Sequence, residues 1–416
     1  MTSAGTSSIK RFRNTRSQIG EPLVPRARQV LEAAQRVVDR DGADKLTLRA
    51  IAREAGEATS VVLYHFSTMD RLEALLLDSL WHDIDVEFLA TIASLPDDAA
   101  SRVDALVDFH ASIAEDPQRY QRYFGLVSGV VRKPDTRVEI AEIYRGYRME
   151  LNVPLLAHPS RSSDETEALA ALVLAVAEGL SFLQLMTADA ASPTPGFELL
   201  RSLLRKKLAR GREPSPGDFR AAAHDPGARP ADAMPEPPAI HRTAQRLLDA
   251  GHVILRSNGL RGLSLESLAR TSGEARPAVG YHFGSKLGFV EALAMDAVHR
   301  WVVAITAPEM WNRLVTDYDG RELARVLEPA TMEVVQVFPV AQRRQDVRDV
   351  AFTAIAHARA AIADQLRSWT LDRGYPAEDA ADIVLAAIAG LTLQKMYDPD
   401  GFDSAPALEQ LGSLLS

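Results

Sequence analysis

The sequence contains no cysteine. Neither a disulfide framework nor a thiolate zinc site can therefore be built from it. Long apolar runs free of charge do not stand out at the length of about 18 residues that a membrane span needs. The N-terminus has no apolar signal-peptide core and is polar and basic instead. The expectation is a cytoplasmic protein with no membrane partner. Strand-like alternation is also missing, and helical periodicity dominates, so the fold class expected is all-α. There is no nucleophile–base spacing, no glycine-rich phosphate loop and no pair of histidines one helical turn apart. Catalysis, a metal and a cofactor are accordingly not expected.

What the chain does have is a repetition. Gly42-Ala-Asp-Lys-Leu46-Thr47-Leu48 through Ile51-Ala52-Arg53, Gly56-Glu57-Ala58 and Tyr64-His65-Phe66 answers Gly259-Leu-Arg-Gly-Leu263-Ser264-Leu265 through Leu268-Ala269-Arg270, Gly273-Glu274-Ala275 and Tyr281-His282-Phe283. The offset is constant (259 − 42 = 281 − 64 = 217). A gapless internal match means two copies of one unit, and 416 residues suit two units of about 200 each. Farther on, Glu178-Gly179-Leu180 answers Ala389-Gly390-Leu391, now at an offset of 211 (390 − 179).

The segments predicted are a basic tail over 1–25, a first head over 26–72, a first helical body over 73–212, a Pro-rich linker over 213–240, a second head over 241–289 and a second body over 290–416. The linker holds Pro214, Pro216, Pro226, Pro230, Pro235, Pro237 and Pro238, a density that reads as partly extended chain. In the first head Val30, Ala34, Val37 and Val38 share a helix face, Gly42 stops the helix, Thr47 caps the next, and a third short helix runs from Thr59 to His65. Leu247, Gly251, Ile254 and Leu255 with Gly259 and Ser264 repeat the scheme. In the bodies helices are expected over 71–92, 101–114, 117–131, 136–157, 164–188, 286–306, 321–336, 343–370 and 377–397.

The net charge of −9 argues at first against nucleic acid, but its distribution matters more than its sum. Lys10, Arg11, Arg13 and Arg16 face only Glu21 in the tail, and the second head is rich in arginine, whereas Asp83, Asp85, Glu87, Asp97 and Asp98 lie in the first body. Heads neutral to basic on acidic bodies are compatible with a DNA partner.

Three short helices with a glycine in the second turn make a helix-turn-helix head. The Ala55-Gly56 turn with Tyr64-His65-Phe66, and the run Gly273 to Lys286, resemble the TetR family of bacterial transcriptional regulators. The resemblance implies two tandem TetR-like units, each a helix-turn-helix head on a ligand-binding and dimerisation body, packed as an intrachain pseudo-dimer through residues about 164–188 and 377–397, with the third helices one DNA turn apart. It implies phosphate contacts from Thr47 and Ser264, base reading by Thr59, Ser60 and Val61 and by Arg276, Pro277 and Ala278, backbone contact by Tyr64, His65, Tyr281 and His282, and a phosphate contact from Lys286. The partner implied is a double-stranded DNA operator, with a small apolar or amphipathic effector held among aromatics such as Trp81, Phe109, Tyr123, Phe124, Phe182, Trp301, Phe338 and Phe352. The first copy departs from the pattern at Met69, which replaces the lysine and is followed by Asp70, and both copies carry a turn glutamate where an apolar residue is usual. The alternative function is an interaction or ligand-sensing protein with one or both heads no longer binding DNA. The basic run Arg201, Arg205, Lys206, Lys207 and Arg210 is expected to be a solvated helix end.

Overall fold

A computed structural model describes residues 23–42, 45–77, 79, 95, 98–130, 134–187, 194–210, 240–307, 320–341, 344–371 and 373–415. The basic tail through residue 22, the Pro-rich segment except residue 240, and Trp81 fall outside them. Among the described residues the secondary structure is helical and no strand occurs. Compactness groups Met1–Leu174, Leu204–Gly211 and Tyr397–Phe402 as one unit, and Ala175–Leu203, Arg212–Met396 and Asp403–Ser416 as another.

The first unit opens with α1 (Pro25–Asp41), α2 (Leu48–Ala55) and α3 (Thr59–Phe66). Pro25 starts α1, where a missing N–H costs nothing. Val30, Ala34, Val37 and Val38 are all buried, as their spacing predicts. Thr47 caps α2 by accepting from the Ala50 N–H at 3.2 Å, and Ile51 and Ala52 are its buried residues. Helical residues 69–77 follow. The body continues with α4 (Ala99–Ala114), α5 (Pro117–Val130) and α6 (Pro134–Gly146). A π-helical turn, Tyr147–Asn152, carries α6 into Val153–Leu156. Pro154 accounts for the irregularity, because its ring excludes the carbonyl four residues back.

Two long helices follow, α7 (Ser163–Thr187) and α8 (Thr194–Arg210). At the basic end of α8, Arg205 pairs with Asp104 and Arg201 lies 3.2 Å from Glu198.

The second head comprises α9 (Arg242–Gly262), α10 (Leu265–Ser272) and α11 (Pro277–Phe283). Gly259 breaks the helical backbone of α9 near its end. Leu247, Gly251, Ile254 and Leu255 are buried. A Cβ on Gly251 would stand 2.8 Å from the Phe289 ring, so close packing explains a glycine inside this helix. The body adds α12 (Lys286–Thr306), α13 (Gly320–Ala341), α14 (Gln345–Leu371), α15 (Ala377–Tyr397) and α16 (Ala405–Leu415). The boundaries of α12 and α15 coincide with the periodicity, whereas α16 lies beyond the helices it predicts.

Within the second unit the later part of α7 packs on α15 through a reciprocal contact. A Cβ on Gly179 would overlap the carbonyl of Ala386, and a Cβ on Gly390 would overlap the carbonyl of Ala175. Each helix thus offers alanine and, one turn on, glycine. Ser163–Met186 and Ala377–Tyr397 are long and apolar enough by composition to cross a bilayer, although neither is free of charge: Glu178 lies in the first and Asp382 in the second. Both are almost wholly buried in the protein, and their apolarity serves a helix-on-helix core.

Candidate nucleic-acid interface

The two heads are built by the same local chemistry. Ser264 caps α10 by accepting from Ser267 N–H at 3.0 Å, and the Ser267 hydroxyl accepts from Ser264 N–H at 2.9 Å, completing a capping box. Gly56 (φ 67°) and Gly273 (φ 73°) turn the chain through the left-handed region between the second and third helices. After the third helix, Ser67 (φ 61°) and Gly284 (φ 71°) occupy matching positions (284 − 67 = 217). Only glycine adopts that backbone cheaply, so the first copy carries strain that the second avoids. Thr68 and Ser285 then cap the next helix in the same way, accepting from Arg71 N–H at 3.1 Å and Gly288 N–H at 3.0 Å.

The turn glutamates have an evident role. Glu57 accepts from Arg26 Nε at 2.8 Å and Nη2 at 2.7 Å, linking the turn to α1. Glu274 lies 2.6 Å from Arg246 Nη2 on α9. The hydrogen bond from Arg26 holds the Glu57 carboxyl below its ordinary range. The arginines come from different positions (26 + 217 = 243, not 246), so the two copies reach one solution by separate routes. Such exposed pairs add little stability; they join the turn before the third helix to the first helix of the head.

The expected reading face is open. Tyr64 and Tyr281 are 83% and 85% exposed, unusual for a large aromatic side chain and suited to contact with another surface. Thr47, Thr59, Ser60, Ser264, Pro277 and Lys286 are exposed, while Val61, His65, Ala278 and His282 are half-buried. Arg276 sits at the start of α11, exposed and 3.8 Å from Glu266, a loose pair that leaves the guanidinium able to reorient. Phe66 and Val279 turn inward to the head core. Met69 is half-buried and Asp70 exposed where the second copy presents Lys286 and Leu287.

His241 joins this face without having been among the residues the sequence singles out. Its ring stacks on His282, centroids 5.0 Å apart with 21° between planes. His241 Nδ1 accepts from Thr243 N–H at 3.2 Å, capping α9. A histidine immediately before a helical run is the available signal.

The aromatics expected around an effector fall into separate groups. In the first unit Tyr120, Tyr123 and Phe124 are buried and mutually packed, with Tyr120 and Phe124 stacked at 5.4 Å. Phe109 is half-buried. In the second unit Phe182 and Phe338 are buried with centroids 5.5 Å apart, and Trp301 donates to Thr331 Oγ1 at 3.1 Å. Phe352 departs from expectation: it is 45% exposed, off the buried stripe of Val347, Ala351, Ala354 and Ala358 on α14. Among the described residues no group of three or more potential ligands could hold a metal ion.

Residues 30–74 match the family described as bacterial regulatory proteins, tetR family. The match falls on the three helices of the first head and supports transcription regulation as the field of action. No curated protein matches the chain. Among solved structures, the crystal structure of multidrug binding protein EbrR complexed with imidazole is similar over 46% of this chain and 98% of that chain, at 22% identity and a TM-score of 0.34.

Proposed function

We propose that the chain is a transcriptional regulator carrying both halves of a TetR-like dimer on one polypeptide. The observation that supports this best is the reciprocal glycine contact. Gly179 meets Ala386 while Gly390 meets Ala175, and the equivalences are 386 − 175 = 390 − 179 = 211. Position i touching j while the equivalent of j touches the equivalent of i is the signature of a two-fold interface. Here that relation lies within one chain. Covalent linkage raises the effective concentration of such a pair to roughly millimolar, enough to outcompete pairing between chains at ordinary protein concentrations.

The operator in this reading is asymmetric, because Thr59-Ser60-Val61 and Arg276-Pro277-Ala278 present different chemistry. Arg276 is the group suited to guanine O6 and N7, and the first head lacks the phosphate contact of Lys286. An apolar or amphipathic effector, held among Phe109, Tyr123 and Phe124 or among Phe182, Trp301 and Phe338, lowers DNA affinity by favouring one body conformation. The protein acts as a repressor without catalytic chemistry, cofactor or membrane attachment, in the cytoplasm.

The test is selection of duplexes from a random library, with the mass of the complex measured on the winning site. One chain on a site with two unlike halves is the expected result. Two chains on a palindrome would overturn the single-chain reading, and absence of any enriched sequence would favour the interaction protein.

A further inference from the structure

Three helices of the second unit meet on one buried histidine. His252, midway along α9, has its side chain 1% exposed. Its Nε2 lies 2.6 Å from Asp296 Oδ2 on α12, and its Nδ1 lies 2.8 Å from Glu333 Oε2 on α13. Glu333 is itself buried and pairs through its other oxygen with Arg256 of α9. Arg300 of α12 donates to Asp296 Oδ2 at 3.0 Å and to Asp249 of α9 at 2.8 Å. The charged groups around the ring are thus Asp249 and Arg256 from α9, Asp296 and Arg300 from α12, and Glu333 from α13.

A neutral imidazole has one N–H, whereas here both ring nitrogens face a carboxylate. Nε2 is hydrogen-bonded to Asp296, whereas Nδ1 approaches Glu333 as a close ion pair off the line of a hydrogen bond; only the protonated ring sets a positive charge and an N–H toward both. Loss of the proton sets a lone pair against a carboxylate and removes the cation between Asp296 and Glu333, which among the described residues then keep only Arg300 and Arg256 as partners. Burial by itself would lower the pKa of His252; the interactions with Asp296 and Glu333 outweigh it and leave the group raised above its ordinary value.

The cluster sits where this head joins its body. α9 is the first helix of the second head, α12 leads from that head into the body, and α13 belongs to the body. The equivalent residues of the first copy are Gln35 and Ser79 (252 − 217, 296 − 217). There α1 is tied to α5 by the Asp39–Arg122 pair, which contains no imidazole.

We propose that His252 is a proton-operated latch that fixes the second head on its body, so that this head alone loosens as the solution turns alkaline. What it implies for DNA rests on the two-headed reading above; the latch itself is a property of α9, α12 and α13.

The experiment uses the full chain labelled with 15N-histidine, followed by proton–nitrogen correlation between pH 6 and about pH 10, with amide hydrogen exchange over the same range corrected for the intrinsic rate. His252 is expected to hold both ring protons at neutral pH and to release one above the ordinary imidazole range of about 6.5. The protection of α9 amides should fall in that window while that of α1 does not. Affinity for the duplex selected above should fall in the same window by about fivefold or more, and the loss should disappear on a site whose second half is scrambled. In His252→Gln the pH dependence vanishes. Glu333→Gln keeps the shape, removes one carboxylate, and should move both the titration and the loosening to lower pH. A His252 ring that is neutral at pH 7, or α9 protection that ignores its titration, would overturn the latch. If no duplex is bound at all, the two-headed reading fails, and ring titration and amide exchange still decide the latch.

Discussion

Gly390→Ala tests the reciprocal helix contact by the sign of its effect. In a solvent-facing helix interior, alanine in place of glycine stabilises by roughly 0.5–1 kcal/mol, because glycine loses more backbone freedom on folding. At position 390 the added Cβ would stand 2.6 Å from Ala175 Cα, against 3.4–4 Å for ordinary contact. The obstacle is backbone, so no rotamer change relieves it, and the helices must separate. Overpacking of this kind costs about 1–3 kcal/mol or more, exceeding the propensity gain. Gly179→Ala meets the Ala386 backbone and should behave alike. Gly280 supplies the control: it is helical, has nothing within 4 Å of an added Cβ, and its alanine variant should gain stability. Thermal unfolding of the full chain should show Gly390→Ala and Gly179→Ala lowered by several degrees, at about 2–4 °C per kcal/mol for a unit of this size, with Gly280→Ala raised. The double variant should cost less than the sum, since helices already parted by one Cβ accommodate the second. A Gly390→Ala chain as stable as the parent would refute the contact and remove the main support for intrachain pairing.

Arg276→Ala should weaken binding by about 1–3 kcal/mol and relax base preference in one half of the site only, read by competition with half-site variants. Met69→Lys should add a phosphate contact to the first head and steepen the salt dependence of binding by about one unit of slope, while Lys286→Met should flatten it equally. Ser67→Gly should stabilise the first head by about 1 kcal/mol by relieving its positive φ, measured as greater amide protection in α2 and α3. His110 is wholly buried, and burial pushes its pKa down to about 4. Its folded pKa is depressed, so stability is full above the unfolded value of about 6.5 and declines as pH falls toward 4, by up to about 3 kcal/mol. His110→Leu should flatten that acid limb in a pH series of unfolding curves. His252 has the opposite sign: the stability it confers is present at low pH and lost as pH rises through its raised value.

The heads are legible in the sequence because each depends on local rules. A capping hydroxyl at Thr47 and Ser264, a left-handed glycine at Gly56 and Gly273, and an apolar face at Val30, Ala34 and Val37 need no tertiary information. The body helices are legible as helices, but their partners are not. Nothing in the periodicity of α13 announces that Glu333 faces His252, eighty-one residues earlier (333 − 252). Phe352 shows the limit from the other side: an aromatic residue in an apolar helix reads as core until the stripe beside it is seen to be the buried one. The π turn at Tyr147–Asn152 falls inside a single helix expected over 136–157, although Pro154 marks the place of the break. The alanine- and leucine-rich sequences of α7 and α15 signal burial without saying what they bury against.

On the two-headed reading, the differences between the copies follow from what covalent linkage permits. In a homodimer each substitution appears in both heads, so a change that improves one half-site contact is imposed on the other. Two copies on one chain escape that constraint, and the changes fall where it would bind hardest. Lys286 against Met69 would alter a phosphate contact, Arg276 against Thr59 would alter base reading, and His252 against Gln35 would alter attachment of head to body (each pair 217 apart). At the second of these positions Thr59 brings a short hydroxyl where Arg276 brings a long bidentate cation. The hydroxyl can bond to more than one base, whereas the guanidinium favours guanine. Divergence at all three levels is what a chain with unlike tasks for its two heads requires, and a pair of identical heads would have no use for it.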